Sequence, residues 1–267
     1  MFWYVHLFSG FWQLAFFLSY STFVVTTAAC VWYFSIDRNN PKAPVWKGFK
    51  WGIFWHLGSL ALGSLLLAIV WVIQVILAYI HQKIKEQGAT NTAVNCLMNC
   101  LHCLADCFER FIRFLNQHAY VEIVLRSTSF CPSALKALSV IASNVLRFST
   151  LSGLVRLLMV FGKFFITFLV LIIAHFMLQF QTYLHKTVFE TYAPLIVVFI
   201  IAWTVSSLFV HVYENASDSL LHCYCYDELI HRQAGGSARM AHQSLQNAVG
   251  HEYAKGSQHE QLDNSYH

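Results

Sequence analysis

The sequence predicts an all-α protein, a polytopic bundle of transmembrane helices. Three observations predict it. Hydrophobic residues make up 57% of the 267 residues and charged residues only 11%, where soluble domains carry about a quarter charged. Four apolar runs each reach the roughly 20 residues that cross a bilayer. Within the first two runs, small and polar residues gather on one helix face. The net charge of +4 is modest and no basic tract is present, so nucleic-acid binding has no support.

The first span is read at residues 6–34. It has no basic leader region before its apolar run, so it is not a secretory signal. A chain that starts inside a hydrophobic helix is expected to be the C-terminal part of a longer protein. At 100° per residue, Ser9, Gln13, Tyr20 and Thr27 share an arc of about 40°. Phe16 borders that arc, with Trp12 and Phe23 further round. Lipid offers such a stripe no partners, so Gln13 and Tyr20 are expected to turn away from it.

The second span is read at residues 52–80, where His56, Ser59, Gly63 and Gln74 fall within about 60°. Ser59 and Gly63 also form a small-xxx-small pair that lets a neighbour approach closely. Two readings of both stripes stand open: helix packing through interhelical hydrogen bonds, or a pathway of hydroxyls, amides and rings suited to a small polar solute or a quaternary ammonium.

Residues 91–146 mix polar and apolar character. From 91 to 116, Leu97, Leu101, Leu104, Phe108, Phe111 and Leu115 recur at helical spacing among Glu109, Arg110 and Arg113, giving an amphipathic helix. Residues 119–146 are apolar but hold Glu122, Arg126 and Lys136. They read as a poor fifth span, a re-entrant element or surface helices, and the cost of three charges at mid-depth favours the last two. Cys96, Cys100, Cys103 and Cys107 line one side of the amphipathic helix. The first and last are about 16 Å apart along its axis, too far for one zinc site with bonds of about 2.3 Å. The stripe reads as a buried apolar interface or as S-acylation sites beside the membrane.

The third and fourth spans are read at residues 157–180 and 193–213. Lys163 sits within snorkelling reach of an interface, and His175 reads as a satisfied core residue. Asn215-Ala216-Ser217 is a glycosylation sequon, expected to be unused. Residues 218–232 read as a further short helix that completes the transmembrane domain at 1–232. Residues 233–267, rich in Gly, Ser, His and Gln, read as a disordered tail. No nucleophile motif, phosphate loop, carboxylate pair, metal site or cofactor motif is found, so the chain is not read as an enzyme.

Charge leaves the topology open. Arg38, Lys42, Lys47 and Lys50 argue for a cytosolic first loop, and Arg232, Arg239 and Lys255 argue the same for the tail. Four spans put these regions on opposite sides; five put them on the same side.

An ordered set of residues carries a resemblance. Trp32-Tyr33-Phe34 ends the first span, and His56-Leu57-Gly58-Ser59-Leu60-Ala61-Leu62-Gly63-Ser64 opens the second. Phe114-Leu115-Asn116, Ala119-Tyr120, Phe130-Cys131, Ser133-Ala134 and Phe161-Gly162-Lys163 follow. Asp218, Cys223 and Asp227 come last. From about residue 8 to 228 this order resembles the C-terminal half of the choline transporter-like family. The resemblance implies a multi-pass carrier in the plasma membrane that moves choline or related amino-alcohols by facilitated transport, with a cytosolic C-terminus. Its partners would be a small cation and the lipid bilayer. Such carriers have more than twice the spans found here. Trp12, Gln13, Tyr20, Thr27, His56, Ser59 and Gly63 are then the candidate substrate path. The alternative is a non-transporting scaffold or degenerate copy whose stripes only pack helices. Two departures stand out: Arg126-Ser127-Thr128 replaces the family's Tyr-Gly-Lys, and Glu122 stands where an apolar residue is usual.

Overall fold

The computed structural model describes residues 2–35, 43–86, 92–185 and 192–233. Among them are seven helices and no strand: α1 (Phe2–Tyr33), α2 (Pro44–Phe54), α3 (Leu57–Glu86), α4 (Thr92–Arg126), α5 (Phe130–Ala142), α6 (Val145–His185) and α7 (Tyr192–Gln233). Four stretches are long and apolar enough to cross a membrane: Val5–Tyr33, Leu57–Glu86, Val145–Phe180 and Ala193–Ile230. The all-α transmembrane class is therefore what the chain adopts. The expected tail from residue 234, and Arg38 and Lys42 of the first loop, lie outside the described residues.

The third span, read at 157–180, belongs to a longer helix, α6, that begins at Val145, and the helix bounds differ from the sequence reading in three further places. The run at 52–80 is broken. The Trp51 carbonyl accepts from both the Trp55 N–H at 3.0 Å and the His56 N–H at 3.1 Å, and a new helix starts with Leu60 N–H donating to His56 O at 3.0 Å. The cause lies in α2, which is held flat on α1 by two glycines. A Cβ at Gly48 would stand 2.9 Å from Val24 O, and one at Gly52 would stand 2.8 Å from Tyr20 Cε2. The chain must turn after this contact to let α3 follow its own path. Second, the fourth span and the short helix after it are one helix of 42 residues, about 63 Å long. That is twice the hydrocarbon thickness of about 30 Å, so α7 extends well beyond the membrane at one end.

The third difference concerns 119–146. A helix lying on a bilayer keeps one face in solvent, but His118, Ala119, Tyr120, Val121, Glu122 and Ile123 are all buried. This end of α4 is enclosed by its neighbours, and α5 buries Ala134, Ala137, Val140 and Ile141 beside it. The charges sit differently: Glu122 is buried with its Oε2 lacking a hydrogen-bond partner, and Lys136 is half-buried. The Glu122 carboxylate meets His222 Nε2 at 3.1 Å with both side chains fully buried, while Arg126 is exposed.

Three side-chain pairs join α1 to α7: Thr26 to Ser219 at 3.0 Å, Cys30 to Cys223 at 3.3 Å, and Tyr33 OH donating to Asp227 at 3.3 Å. The numbers rise together, so these helices run parallel and end side by side. α3 runs against α1, with Leu60 beside Phe23 and Trp71 beside Phe11. α4 runs back along α3. Asn116 Nδ2–H donates to Gly63 O at 2.8 Å and Gln74 Nε2–H to Asp106 at 3.1 Å. Residues 106–116 of α4 thus lie level with residues 63–74, inside the apolar run of α3. α6 and α7 form an antiparallel pair, with Arg147 on Glu228 at one end and Phe164 on Trp203 further along, 5.3 Å between centroids.

The two family departures have structural settings. Ser127, where the resemblance expects glycine, has φ of 53°, a left-handed conformation that costs a non-glycine residue about 1–2 kcal/mol. Replacing Ser127 by Gly should raise stability by about 0.5–1 kcal/mol, read as a higher unfolding midpoint in detergent. Glu122→Leu alone should cost about 3–5 kcal/mol, because it strips His222 of its buried partner. Adding His222→Leu should recover most of that loss, and strictly additive losses in the same assay would refute the pairing.

Candidate functional site

The helix faces decide where each candidate lands. The inward face of α1 carries Ala15, Ser19, Phe23, Thr26 and Cys30, all buried. Gln13 lies about 120° round from this stripe. It is exposed, its amide resting 3.4 Å from Ser9 one turn back. The expectation that Gln13 turns inward is corrected: the polar stripe and the contact face of α1 are different faces. Trp12 is also exposed, its indole N–H reaching Ala61 O at 3.4 Å. Thr27 is buried, but its hydroxyl donates to Phe23 O at 2.8 Å within its own helix.

Tyr20 is half-buried, as the stripe requires. Its hydroxyl donates to Phe49 O at 3.0 Å, and its ring stacks on Phe16 with centroids 6.5 Å apart. His56 sits in the break between α2 and α3 rather than on a helix face, its ring 5.8 Å from that of Phe23. Ser59 is half-buried on the first turns of α3. Gly63 is covered: a Cβ there would overlap the Tyr120 hydroxyl and stand 3.1 Å from the Phe130 ring. Its close neighbours are side chains of α4 and α5, so this small residue serves packing. The structure brings Tyr20, His56 and Gly63 around Phe23 and Tyr120, and leaves Trp12 and Gln13 outside that nest.

The four cysteines of the α4 stripe are exposed, free thiols. No group of three or more His, Cys, Asp or Glu able to hold a metal exists among the described residues. Asn215 is buried within α7 beside His211, with no room for a glycan. His175 bonds Gln179 at 3.0 Å and lines a groove of about 520 Å³ between α6 and α7, with Phe168, Phe176 and Phe199 among its walls.

Sequence reasoning missed one pattern. Two of the chain's own cations rest on indole faces. Lys163 Nζ lies 3.7 Å from the Trp203 ring centroid, and the Arg113 guanidinium lies 5.3 Å from that of Trp71. Gln74 had been placed on the polar face of α3, but its carboxylate partners on α4 are visible only once the two helices are docked.

Comparison with known proteins follows the same residues. The profile described as plasma-membrane choline transporter matches residues 1–229. The chain belongs to the choline transporter-like family. It is similar to choline transporter-like protein 2 of Dictyostelium discoideum, 34% identical over 223 residues, which is 83% of this chain and 35% of that protein. Choline transporter-like protein 2 of Homo sapiens is 33% identical over 241 residues, covering 87% of this chain and 33% of the relative. Choline transporter-like protein 5-A of Danio rerio is 35% identical over 216 residues, covering 79% and 30%. The chain thus spans about a third of the length of these relatives.

The contact at Gly63 generates a test within this family's fold. Gly63→Ala should destabilise the protein by about 1–3 kcal/mol through overpacking. Tyr120→Phe removes the colliding hydroxyl, so the double variant should be more stable than the two single losses imply. Thermal unfolding of the four proteins in detergent measures that coupling, and zero coupling would mean the hydroxyl is not the obstacle.

Proposed function

We propose that the full-length protein is a carrier for choline or a closely related amino-alcohol in the plasma membrane, and that this chain supplies part of its path. The family match over residues 1–229 carries the reading. Side-chain chemistry supports it. A quaternary ammonium donates no N–H hydrogen bond, so it is recognised by ring faces and carboxylates. This chain already seats an ammonium on Trp203 and a guanidinium on Trp71.

The proposal includes five crossings. α4 lies level with the apolar run of α3, so a bilayer around α3 also contains α4. Asp106, Glu109 and Asn116 of α4 meet α3, while Leu97, Leu104 and Phe108 point outward with Arg110 exposed among them. Five crossings put the α1–α2 loop and the C-terminus on one side, as the Tyr33–Asp227 contact requires. The basic residues of both regions make that side cytosolic.

A second reading is favoured by specific observations. Gln13 faces outward, the Thr27 hydroxyl is bonded within its own helix, and Gly63 is covered by Tyr120, so the stripes of α1 and α3 serve packing as a scaffold's would. Radiolabelled choline uptake by the full-length protein, corrected for surface level, separates the two. A carrier takes up choline above background; a scaffold that reaches the membrane does not. In the carrier, Tyr20→Ala should raise the KM about two- to thirtyfold with surface level kept. Normal KM with reduced surface level would place Tyr20 in packing alone.

A further inference from the structure

Glu109 places a carboxylate beside the apolar run of α3, and three helices contribute to its surroundings. From α3, the Trp71 indole N–H donates to its Oε1 at 2.9 Å and the Gln74 amide donates to its Oε2 at 2.8 Å. From α4 itself, Arg113 reaches Oε1 at 2.7 Å. From α1, the Phe11 ring meets the Trp71 ring edge-on at 6.2 Å. The same Gln74 amide also reaches Asp106.

An ion pair one turn apart on a helix is ordinary. This one differs in two respects. The carboxylate is fixed from the neighbouring helix by two neutral donors, so it keeps its place when Arg113 moves. The guanidinium also lies over an indole face, 5.3 Å from the centroid, while it reaches the same Oε1 that accepts the Trp71 indole N–H. Ring and carboxylate together already hold a cation. That cation is tethered but not enclosed, since the Arg113 side chain is 46% exposed.

We infer that Trp71, Gln74 and Glu109 form a binding site for a small organic ammonium, and that Arg113 is its tethered occupant, displaced when a free cation arrives. The inference rests on the carrier reading and names the residues of one cation subsite within it. A quaternary ammonium has no N–H, so it leaves the Trp71 and Gln74 bonds to Glu109 intact. It takes only the place of the guanidinium, over the ring and against Oε1. Arg113 has a reason to be there: an empty site at this depth would otherwise leave a carboxylate without a cation, which is costly away from water. The tethered cation therefore lowers affinity for the free one while keeping the resting site neutral. Selectivity follows from charge. The uncharged isostere 3,3-dimethylbutan-1-ol has the shape of choline and gains nothing from Glu109.

The test is calorimetric binding of tetramethylammonium and choline to the purified full-length protein. Arg113→Gln should bind both about tenfold more tightly than wild type, because the competitor is gone. Trp71→Leu and Glu109→Gln should each weaken binding at least about tenfold, and the neutral isostere should not compete. Arg113→Gln leaves both α3 bonds to Glu109 in place, so it reports on the site even if the other variants fail to fold. Binding by Arg113→Gln where wild type shows none supports the inference; binding by neither overturns it. Unchanged or weaker binding in Arg113→Gln, or equal competition by the isostere, also overturns it. The pattern above without choline uptake would remove the carrier reading and leave the site. Uptake with binding indifferent to all three substitutions would do the reverse.

Discussion

The parallel docking of α1 on α7 is the contact on which the rest depends. It joins residues 193 positions apart in the chain, so it closes the bundle. Thr26–Ser219, Cys30–Cys223 and Tyr33–Asp227 recur every three or four residues on both helices, which is how a parallel pair keeps register. All six side chains are buried. Leaving a buried polar group without its partner costs about 1–3 kcal/mol. A slip of one residue would break all three pairs at once, whereas an apolar seam would tolerate it more readily. The polar ladder thus specifies register more than it adds stability. It also puts the ends of α1 and α7 at one end of the molecule, which charge alone left undecided.

Beneath that ladder the chain buries a carboxylate, Glu122, among its helices. Glu122 meets His222, and the His118 ring stacks on His222 with centroids 5.3 Å apart. Asp218, one turn earlier on α7, accepts from Ser152 at 2.8 Å and from Gln117 at 3.3 Å. α4, α6 and α7 are therefore joined by polar contacts at the end where α7 has outrun the apolar part of its sequence. A buried carboxylate–imidazole contact is a poor source of net stability, because both polar groups must leave water to form it. This cluster is better understood as fixing which helices meet. It follows that the last third of α7, polar as it is, holds some of the best-buried of the described residues, Ser219, His222, Cys223 and Cys225 among them.

Much of this fold was legible because long apolar runs have few alternatives to helix in lipid. The four runs became α1, α3, α6 and α7. What was hidden depends on contacts between helices. The break at Trp55–His56 follows from Gly48 and Gly52 docking on α1, and no local signal distinguishes them from glycines that touch nothing, such as Gly58. Periodicity correctly found a polar stripe on α1, but it cannot say which face meets a neighbour. Tyr20 at the margin of the contact face was placed correctly, and Gln13 was not. For the candidate site, the residue types were visible one helix at a time. In the sequence Glu109 and Arg113 are only charges on the polar side of an amphipathic helix, and it is α3 that brings Trp71 and Gln74 against them.

The same docking explains the cysteine stripe in physical terms. α4 turns Glu109, Ile112 and Asn116 toward α3, which leaves Cys96, Cys100, Cys103 and Cys107 on its outer side. At the depth of the α3 run, an outward residue must be acceptable to lipid or to another helix. Cysteine meets that need as a small apolar side chain whose thiol is a weak donor. The register also bears on S-acylation. Cys107 lies near the level of Gln74 and Cys96 still further from the end marked by Tyr33 and Asp227. If that end is cytosolic, the stripe points away from the compartment that supplies acyl groups. Acylation of these cysteines and a cytosolic C-terminus are therefore competing expectations, and the five-crossing arrangement favours the second.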